Sequence, residues 1–420
     1  MAASAAVRPV RRFAAIGAVV LSSLVVCEPP ASAQAPATPA PVTAGWQDGF
    51  VIQSANGDYR LTLGMTAQMD GRFALDDPPA FVNTFTLRKI RPTFTGRIAK
   101  YFDYKVMPDL GGGQVVMQDA YLDVRFSPKF RVRMGKDKEP VGYELLIGDP
   151  FVLFPERSQA SNLVPNRDNG VQMIGDLFNN RMSYSFGVFN GIPDGTSSTT
   201  EVDTNNGKDL LGRIVITPFR NNTPAGALNG LGFHLGGSSG QQEGTLPSYK
   251  TSAGQNYFTY ATGATADGGR QRVSPAVFYY FKSFGGFAEY VYSKQEVART
   301  AARSDVANQA WDVTGSYVLT GEATSDRGVH PTNNFDPAQG HWGALQVLAR
   351  YASLSVDDAA FAHGLAAATA SQTAHATTVA ANWYPNYWIK YYASYEHTSF
   401  DGGATRATEN SFIIRAQLAF

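Results

Sequence analysis

The chain contains one cysteine, no excess of either charge and no long apolar run beyond its N-terminus. Cys27 lies in a predicted leader, so disulfides, thiol catalysis and cysteine metal sites are together excluded for the mature chain. Lysine and arginine total 35, as do aspartate and glutamate, and no basic tail is present, which argues against binding to nucleic acid. No apolar run approaches the roughly 20 residues that a membrane-spanning helix needs.

The first residues have the pattern of a secretory signal peptide. Three arginines precede an apolar run from Phe13 to Cys27, and the small residues Ala-Ser-Ala follow at 31–33. This order of segments predicts an exported chain from which residues 1–33 are removed. Cleavage before Cys27, as in a lipoprotein, is the alternative, although Val26 is bulky where a small residue is wanted. Residues 34–58 are predicted to form a Pro/Ala-rich linker and an N-terminal periplasmic segment.

Apolar and polar side chains alternate over four successive runs within residues 84–140. After Lys89 the even positions are apolar or small, such as Phe94, and the odd positions are polar, such as Arg91. Side chains of a strand point to opposite faces with period two, so this segment predicts a sheet with one apolar and one charged face. In a membrane the charged face must line water, because each Arg or Lys at the bilayer midplane would cost about 2–4 kcal/mol. A half-buried sheet of a soluble protein also alternates, and these runs alone leave that alternative open.

The pattern continues through residues 59–420 and divides them into sixteen candidate strands, an even number, as a closed outer-membrane barrel requires. The candidate strands are 59–73, 84–98, 103–109, 115–126, 130–137, 168–177, 181–190, 209–218, 230–239, 270–281, 286–296, 309–320, 342–354, 372–384, 387–398 and 409–420. The fold class predicted is all-β: a sixteen-stranded antiparallel transmembrane β-barrel.

Short and long connections largely alternate along the chain, which fits periplasmic turns at one end and long external loops at the other. The long connections are predicted at 74–83, 138–167, 191–208, 240–269, 297–308, 355–371 and 399–408. A soluble sandwich has no reason to sort its loops by end in this way. The segment 321–341 is an exception, because it is long and on the periplasmic side, where it could fold back into the lumen.

The last strand carries the most specific pattern. Five apolar residues from Phe412 to Phe420 share one face, and Phe420 is the final residue. A closing amphipathic strand that ends in phenylalanine resembles the signal recognised by the outer-membrane insertion machinery. This machinery and outer-membrane lipid are therefore predicted partners.

Ordered motifs along the chain resemble those of a known family. They include Gly45-Trp46-Gln47-Asp48-Gly49-Phe50, Leu87-Arg88-Lys89-Ile90-Arg91-Pro92, Gln118-Asp119-Ala120-Tyr121-Leu122-Asp123, Lys138-Glu139-Pro140, Glu156-Arg157, Asn162-Leu163-Val164-Pro165-Asn166-Arg167 and Gly187-Val188-Phe189-Asn190-Gly191. In their order and spacing the chain resembles the phosphate-selective porin O and P family from Gly45 to Phe420. The resemblance implies a sixteen-stranded barrel, a homotrimer and diffusion of anions, with phosphate the best-known case. It also implies an arginine ladder on the inner wall and lysines near a constriction.

The alternation itself supplies a candidate anion-conducting wall. Seven basic residues share the water-facing positions, namely Lys89, Arg91, Arg97, Lys105, Arg125, Arg131 and Arg133. Three acids, Asp109, Asp119 and Asp123, share them too, so this wall is predicted to carry four excess positive charges. Clustered charge of one sign in a narrow pore concentrates counter-ions. The alternative is that these bases pair with the wall acids and only hold the lumen rigid. Arg88 has the opposite phase, which places it at a strand end or beside a bulge.

The segment 138–167 is the candidate constriction. It is rich in large apolar residues, which favours packing against the inner wall over exposure. Its candidate site residues are Lys138, Glu156, Arg157 and Arg167. Its acids (Glu139, Glu144, Asp149 and Glu156) outnumber its bases, and such a constriction is expected to bind phosphate weakly.

Other chemical patterns are missing. The six histidines are scattered, the run Gly111-Gly112-Gly113 precedes a strand and not a helix, and no serine lies in a nucleophile elbow. The sequence therefore predicts no metal, no cofactor and no enzyme, with a barrel-based outer-membrane hydrolase as the remaining enzymatic alternative. The predicted function is passive, anion-preferring diffusion of small anionic or polar solutes such as phosphate. Two other possibilities stay open: a general or sugar-type porin, and a structural or adhesive barrel plugged by 138–167 and 321–341.

Overall fold

The structure is a computed structural model that describes residues 41–198, 203, 205–221, 223–300 and 302–420. The predicted signal peptide, residues 1–33, and the first part of the predicted linker, residues 34–40, lie outside the described residues. No helix in the described ranges is long and apolar enough to cross a membrane.

Within the described residues, sixteen strands close into one antiparallel barrel and are numbered in chain order. Their bounds are β1 Arg60–Ala74, β2 Thr84–Ile98, β3 Phe102–Asp109, β4 Val116–Ser127, β5 Phe130–Lys138, β6 Arg167–Leu177, β7 Met182–Phe189, β8 Asp209–Ile216, β9 Leu231–Gly244, β10 Thr265–Phe281, β11 Phe284–Arg299, β12 Ala302–Val318, β13 Ala344–Ser355, β14 Ser371–Tyr384, β15 Ile389–Gly403 and β16 Glu409–Ala419. The ladder from Ser411↔Ala74 to Ala419↔Thr66 joins β16 to β1 and closes the barrel. The predicted barrel is confirmed, and each predicted strand overlaps an observed one.

Side chains alternate between the outer and inner faces of the barrel, as the sequence predicts. On β2, Leu87 and Ile98 point outward and are 56% and 51% exposed, whereas Lys89 and Arg91 point inward and are 7% and 6% exposed. The outer face is therefore an apolar band that suits lipid, and the inner face carries the charges.

Three of the predicted external loops are shorter than expected, among them the connection predicted at 240–269, because β9 continues to Gly244 and β10 starts at Thr265. The connection predicted at 297–308 is wrong, because β11 continues to Arg299 and β12 starts at Ala302. The inward residues Val297 and Val306 of these extensions are fully buried in an apolar cluster with Tyr257 and Phe258 of an external hairpin. Burial of this kind favours continued strand structure beyond the membrane. Likewise, β15 continues to Gly403, into the connection predicted at 399–408.

Connections carry the remaining elements. The short helices are Gly111–Gly113, Tyr143–Leu146, Asp149–Phe151, Gln159–Leu163, Thr223–Gly230, Pro337–Gln339 and Asp358–Ala362. The strand pair Ser248–Lys250 and Asn256–Thr259 forms the external hairpin, and the pair Thr324–Ser325 and Gly328–Val329 lies in the long periplasmic segment between β12 and β13.

A hairpin that the sequence did not predict precedes the barrel, within the predicted linker and periplasmic segment. Its strands are Val42–Trp46 and Phe50–Ser54, and Phe50–Gln53 pairs with the first four residues of β1. The ring of Trp46 lies 5.4 Å from that of Phe420, where β16 ends. The hairpin thus covers one end of the seam between the first and last strands.

Candidate functional site

The constriction loop, residues 139–166, crosses the lumen from β5 and β6 to the opposite wall. Glu289 of β11 accepts hydrogen bonds from the backbone N–H groups of Tyr143 and Glu144, at 2.7 and 3.0 Å. Farther along the loop, Asn382 of β14 donates to the carbonyl of Leu153 at 2.8 Å. Backbone groups of the loop are thereby satisfied by side chains of the wall, which is how an irregular segment can lie inside a barrel. The prediction of an inward-folded loop is confirmed.

Asp149, at the tip of the constriction loop, forms ion pairs with three cations. Its carboxylate lies 3.1 Å from Lys89 and 3.1 Å from Arg157, and it also pairs with Arg91. Burial alone would raise the pKa of Asp149, but Lys89, Arg157 and the other nearby cations hold it well below its ordinary value. Asp149 with Lys89, Arg91 and Arg157 is called the Asp149 cluster below.

Glu156 forms a second anchor on the external side of the Asp149 cluster. Arg88 donates to it at 2.8 Å, Arg415 of β16 lies 3.3 Å away, and Arg72 of β1 completes the group. Burial opposes ionisation of Glu156, and Arg88 and Arg415 nevertheless hold its pKa well below the ordinary value.

Arg88 reaches Glu156 because β2 has a bulge. The register changes from Lys89↔Gln68 to Leu87↔Met69, so no residue of β1 stands opposite Arg88. An extra residue in a strand bends the backbone and redirects a side chain. The out-of-phase arginine of the sequence pattern therefore joins the lumen beside Lys89.

All seven predicted wall cations have a carboxylate within 4.0 Å. The pairs are Lys89–Asp149, Arg91–Asp109, Arg97–Asp103, Lys105–Asp119, Arg125–Asp103, Arg131–Asp123 and Arg133–Asp123. This pairing agrees with the alternative interpretation, in which the bases pair with the wall acids and hold the lumen rigid. The acids are nevertheless fewer than the bases, because Asp103, Asp119 and Asp123 each serve two cations.

Counted over the described residues, the ion-pair network of β1–β6, β16 and the constriction loop joins twelve cations to eight carboxylates. The cations are Arg72, Arg88, Lys89, Arg91, Arg97, Lys105, Arg125, Arg131, Arg133, Arg157, Arg167 and Arg415, and the carboxylates are Asp70, Asp103, Asp109, Asp119, Asp123, Asp137, Asp149 and Glu156. This network therefore carries four excess positive charges, although the whole chain is neutral.

Two water-accessible cavities meet at the Asp149 cluster. The first, about 510 Å³, extends toward the periplasmic end and is lined by Arg91, Lys105, Arg131, Arg133, Lys138 and Arg167 among others. The second, about 290 Å³, lies on the external side, where Arg72, Arg88, Lys89 and Arg157 face it. Arg91 and Asp149 line the first cavity, and Lys89 and Arg157 line the second, which makes the Asp149 cluster the candidate constriction.

The four predicted constriction residues do not form one group in the structure. Lys138 donates to the carbonyls of Leu145 and Ile147, Arg157 joins Asp149, and Arg167 pairs with Asp119 at 2.6 Å. Glu156 lies outside the Asp149 cluster, in the second anchor.

The acids of the loop do not make the constriction acidic, because each is occupied or buried. Glu144 pairs with Arg350 at 3.5 Å, Asp149 and Glu156 each face three cations, and Glu139 is fully buried. The expectation of weak phosphate binding counted only the loop's own charges, and in the structure wall cations contact Asp149 and Glu156.

Several lumen cations were missed by the sequence analysis. Arg213 of β8 lines the first cavity, and Arg415 of β16 joins the second anchor. The same alternation would have identified both, since their neighbours Ile214 and Ile414 point outward. The predicted ladder covers four strands only, and both arginines lie on strands beyond them.

A sequence profile described as phosphate-selective porin O and P matches residues 66–420. The chain belongs to the phosphate-selective porin O and P family. No curated protein matches the sequence of this porin. Its family and its closed barrel make it an integral outer-membrane protein.

Solved structures share the fold of this porin at low identity. The outer membrane channel DcaP of Acinetobacter baumannii is 14% identical, with a TM-score of 0.57 over 89% of this chain and 99% of that chain. An anion-selective porin from Comamonas acidovorans is 12% identical, with a TM-score of 0.53 over 86% and 100%. OmpT of Vibrio cholerae, in a trimer form, is 12% identical, with a TM-score of 0.53 over 86% and 99%.

Proposed function

We propose that this porin gives passive, anion-preferring diffusion to small anionic or polar solutes, phosphate among them, without catalysis. The observation that carries the proposal is the local imbalance of the ion-pair network of β1–β6, β16 and the constriction loop, in which twelve cations share eight carboxylates. A fixed excess of positive charge inside a narrow, low-dielectric wall raises the local concentration of anions and speeds their entry.

Shared carboxylates also leave cations that an entering anion can contact. Arg131 lies 4.0 Å from Asp123, which Arg133 already binds at 2.7 Å, and its side chain is 37% exposed to the lumen. A guanidinium held this loosely can turn to a passing oxyanion and bind it through two hydrogen bonds. The wall can therefore offer successive contacts without a deep binding site.

The proposed assembly is a homotrimer in outer-membrane lipid, inserted through the C-terminal strand that ends at Phe420. OmpT of Vibrio cholerae, which shares the fold, has been solved in a trimer form, and this supports the proposed assembly.

The zero-current potential of the purified porin in a planar bilayer, across a KCl gradient, tests the proposal. We expect an anion-selective potential in the wild type. Changing Arg91, Arg131 and Arg133 together to glutamine should move the potential toward the cation side, because three lumen charges are lost. Arg303→Gln is the matched control, since this arginine is 58% exposed and pairs with Asp267 away from the lumen network.

Each other outcome favours one alternative. A non-selective or cation-selective wild type would indicate a general diffusion porin and a purely structural wall. Absence of conductance would indicate a barrel plugged by the constriction loop and the segment between β12 and β13. A chloride current that falls when phosphate is added would indicate a specific phosphate site.

A further inference from the structure

A third cavity lies inside the barrel on the other side of the constriction loop. Its volume is about 500 Å³, close to that of the first cavity, and Leu146 and Gly148 of the loop line both. A volume of this size is within the range of small-molecule sites in proteins. The two cavities differ in chemistry, since paired cations and acids dominate the wall of the first, whereas the third has an aromatic wall of Tyr143, Phe151, Phe278 and Tyr280.

The aromatic wall of the third cavity is ordered by stacking. Tyr143 of the loop stacks on Phe278 of β10 with ring centres 5.0 Å apart and an interplanar angle of 12°. The hydroxyls of Tyr143 and Tyr280 lie 3.3 Å apart, and Phe151 faces the same space from the loop. Preordered ring faces and edges favour a flat aromatic group over a hydrated inorganic ion.

Arg213 of β8 lines both cavities and is the unpaired cation between them. Within the described chain it makes no hydrogen bond and has no carboxylate within ion-pair distance, and its Nε is buried without a partner. A guanidinium in this state gains most from an oxyanion that replaces its lost water. Its position at the edge of the aromatic wall makes an anion with an attached ring the best match.

His234 supplies a further polar atom beside Arg213. The strand register places His234 opposite Val215 and Gly236 opposite Arg213, so the two side chains are diagonal neighbours on the inner face. Nδ1 of His234 faces the carbonyl of Ser274 at 3.2 Å, and Nε2 is buried without a partner in the described chain. If Nδ1 donates to that carbonyl, Nε2 is a free acceptor facing the cavity.

We propose that the third cavity binds aromatic carboxylates, with the carboxylate on Arg213 and the ring against Phe278 and Tyr280. The inference rests on the proposed function in one respect: anions must be able to enter the lumen. It adds a solute class to that function, because the Asp149 cluster carries no aromatic wall of its own. Arg220 and Arg327 also line this cavity, and with Arg213 they outnumber the one acid of its lining, Asp326.

Block of the chloride current by benzoate tests the proposal in the purified porin in planar bilayers. Acetate, which has the carboxylate without the ring, and benzamide, which has the ring without the charge, are the matched probes. Benzoate should block at a concentration about tenfold below that of acetate, while benzamide should not block. Arg213→Gln should raise the half-blocking concentration of benzoate about tenfold, because a charge-assisted contact is lost. This variant removes no hydrogen bond or ion pair of the described structure, so the barrel is expected to fold.

Phe278→Leu separates the ring contribution from the charge. It should bring the half-blocking concentration of benzoate close to that of acetate and leave acetate unchanged, and Arg303→Gln should alter neither. Equal block by benzoate and acetate in the wild type, or full benzoate block in Arg213→Gln, would overturn the inference. The zero-current potential from the same recordings reports the proposed anion preference separately, so failure of one proposal is distinguishable from failure of the other.

Discussion

At the scale of single residues, Glu139 lies in an environment that disfavours a charged side chain. It is fully buried, and neither carboxylate oxygen has a hydrogen-bond partner among the described residues. Burial raises the pKa of Glu139 well above its ordinary value of about 4.3. The folded protein therefore keeps a proton that the unfolded chain releases, and stability falls as the pH rises from about 4.3 toward the folded pKa.

Glu139→Gln should remove this pH dependence, because glutamine cannot ionise. We expect the variant to match the wild type in thermal midpoint near pH 4 and to exceed it at pH 8. Glu243→Gln, at an exposed position near the end of β9, is the control and should leave the wild-type slope. Parallel pH curves for wild type and Glu139→Gln would contradict the assignment. The measurement is thermal unfolding followed by circular dichroism in detergent.

At the scale of elements, the constriction loop is held at two points with different consequences. Glu156→Gln removes the charge that Arg72, Arg88 and Arg415 share, while the Asp149 cluster stays intact. The external half of the loop should then open more easily, by about 1.5–3 kcal/mol, since charge-assisted hydrogen bonds are lost. Hydrogen exchange of residues 152–163 should accelerate, and open-channel current noise should increase.

Glu322→Gln, in the segment between β12 and β13, is the control for that experiment, because among the described residues its carboxylate accepts hydrogen bonds from Thr320 and from the backbone N–H of Thr332. Unchanged exchange of the loop in Glu156→Gln would show that backbone contacts, such as that of Leu153 with Asn382, hold the loop without the anchor.

The elements also show what a sequence can predict. Period-two alternation is local, so all sixteen strands could be located, and the phase of Lys89 and Arg91 already gave their lumen-facing orientation. The course of the constriction loop depends on contacts across the barrel, such as Leu153 with Asn382, 229 residues apart in sequence. Contacts of that range determine which cations surround Asp149, and no local charge count could reveal them.

For the whole molecule, the proposed selectivity comes from a fixed charge field and should depend on salt. The screening length falls from about 10 Å at 0.1 M to about 3 Å at 1 M ionic strength. At a constant KCl ratio, the zero-current potential should therefore move toward zero as the mean concentration is raised from 0.1 to 1 M. A potential that does not change with concentration would indicate selection by contact at the narrowest point instead of by the field of the wall.

The constriction loop starts and ends at β5 and β6 and binds side chains of β11, β14 and β16 on the far side. In mechanical terms it is a cross-brace: it ties opposite points of the cylinder together through short polar contacts. A braced tube resists flattening when the surrounding bilayer is stretched. The conductance of this porin should accordingly stay constant under membrane tension in a patch pipette, up to the tension at which the lipid itself ruptures.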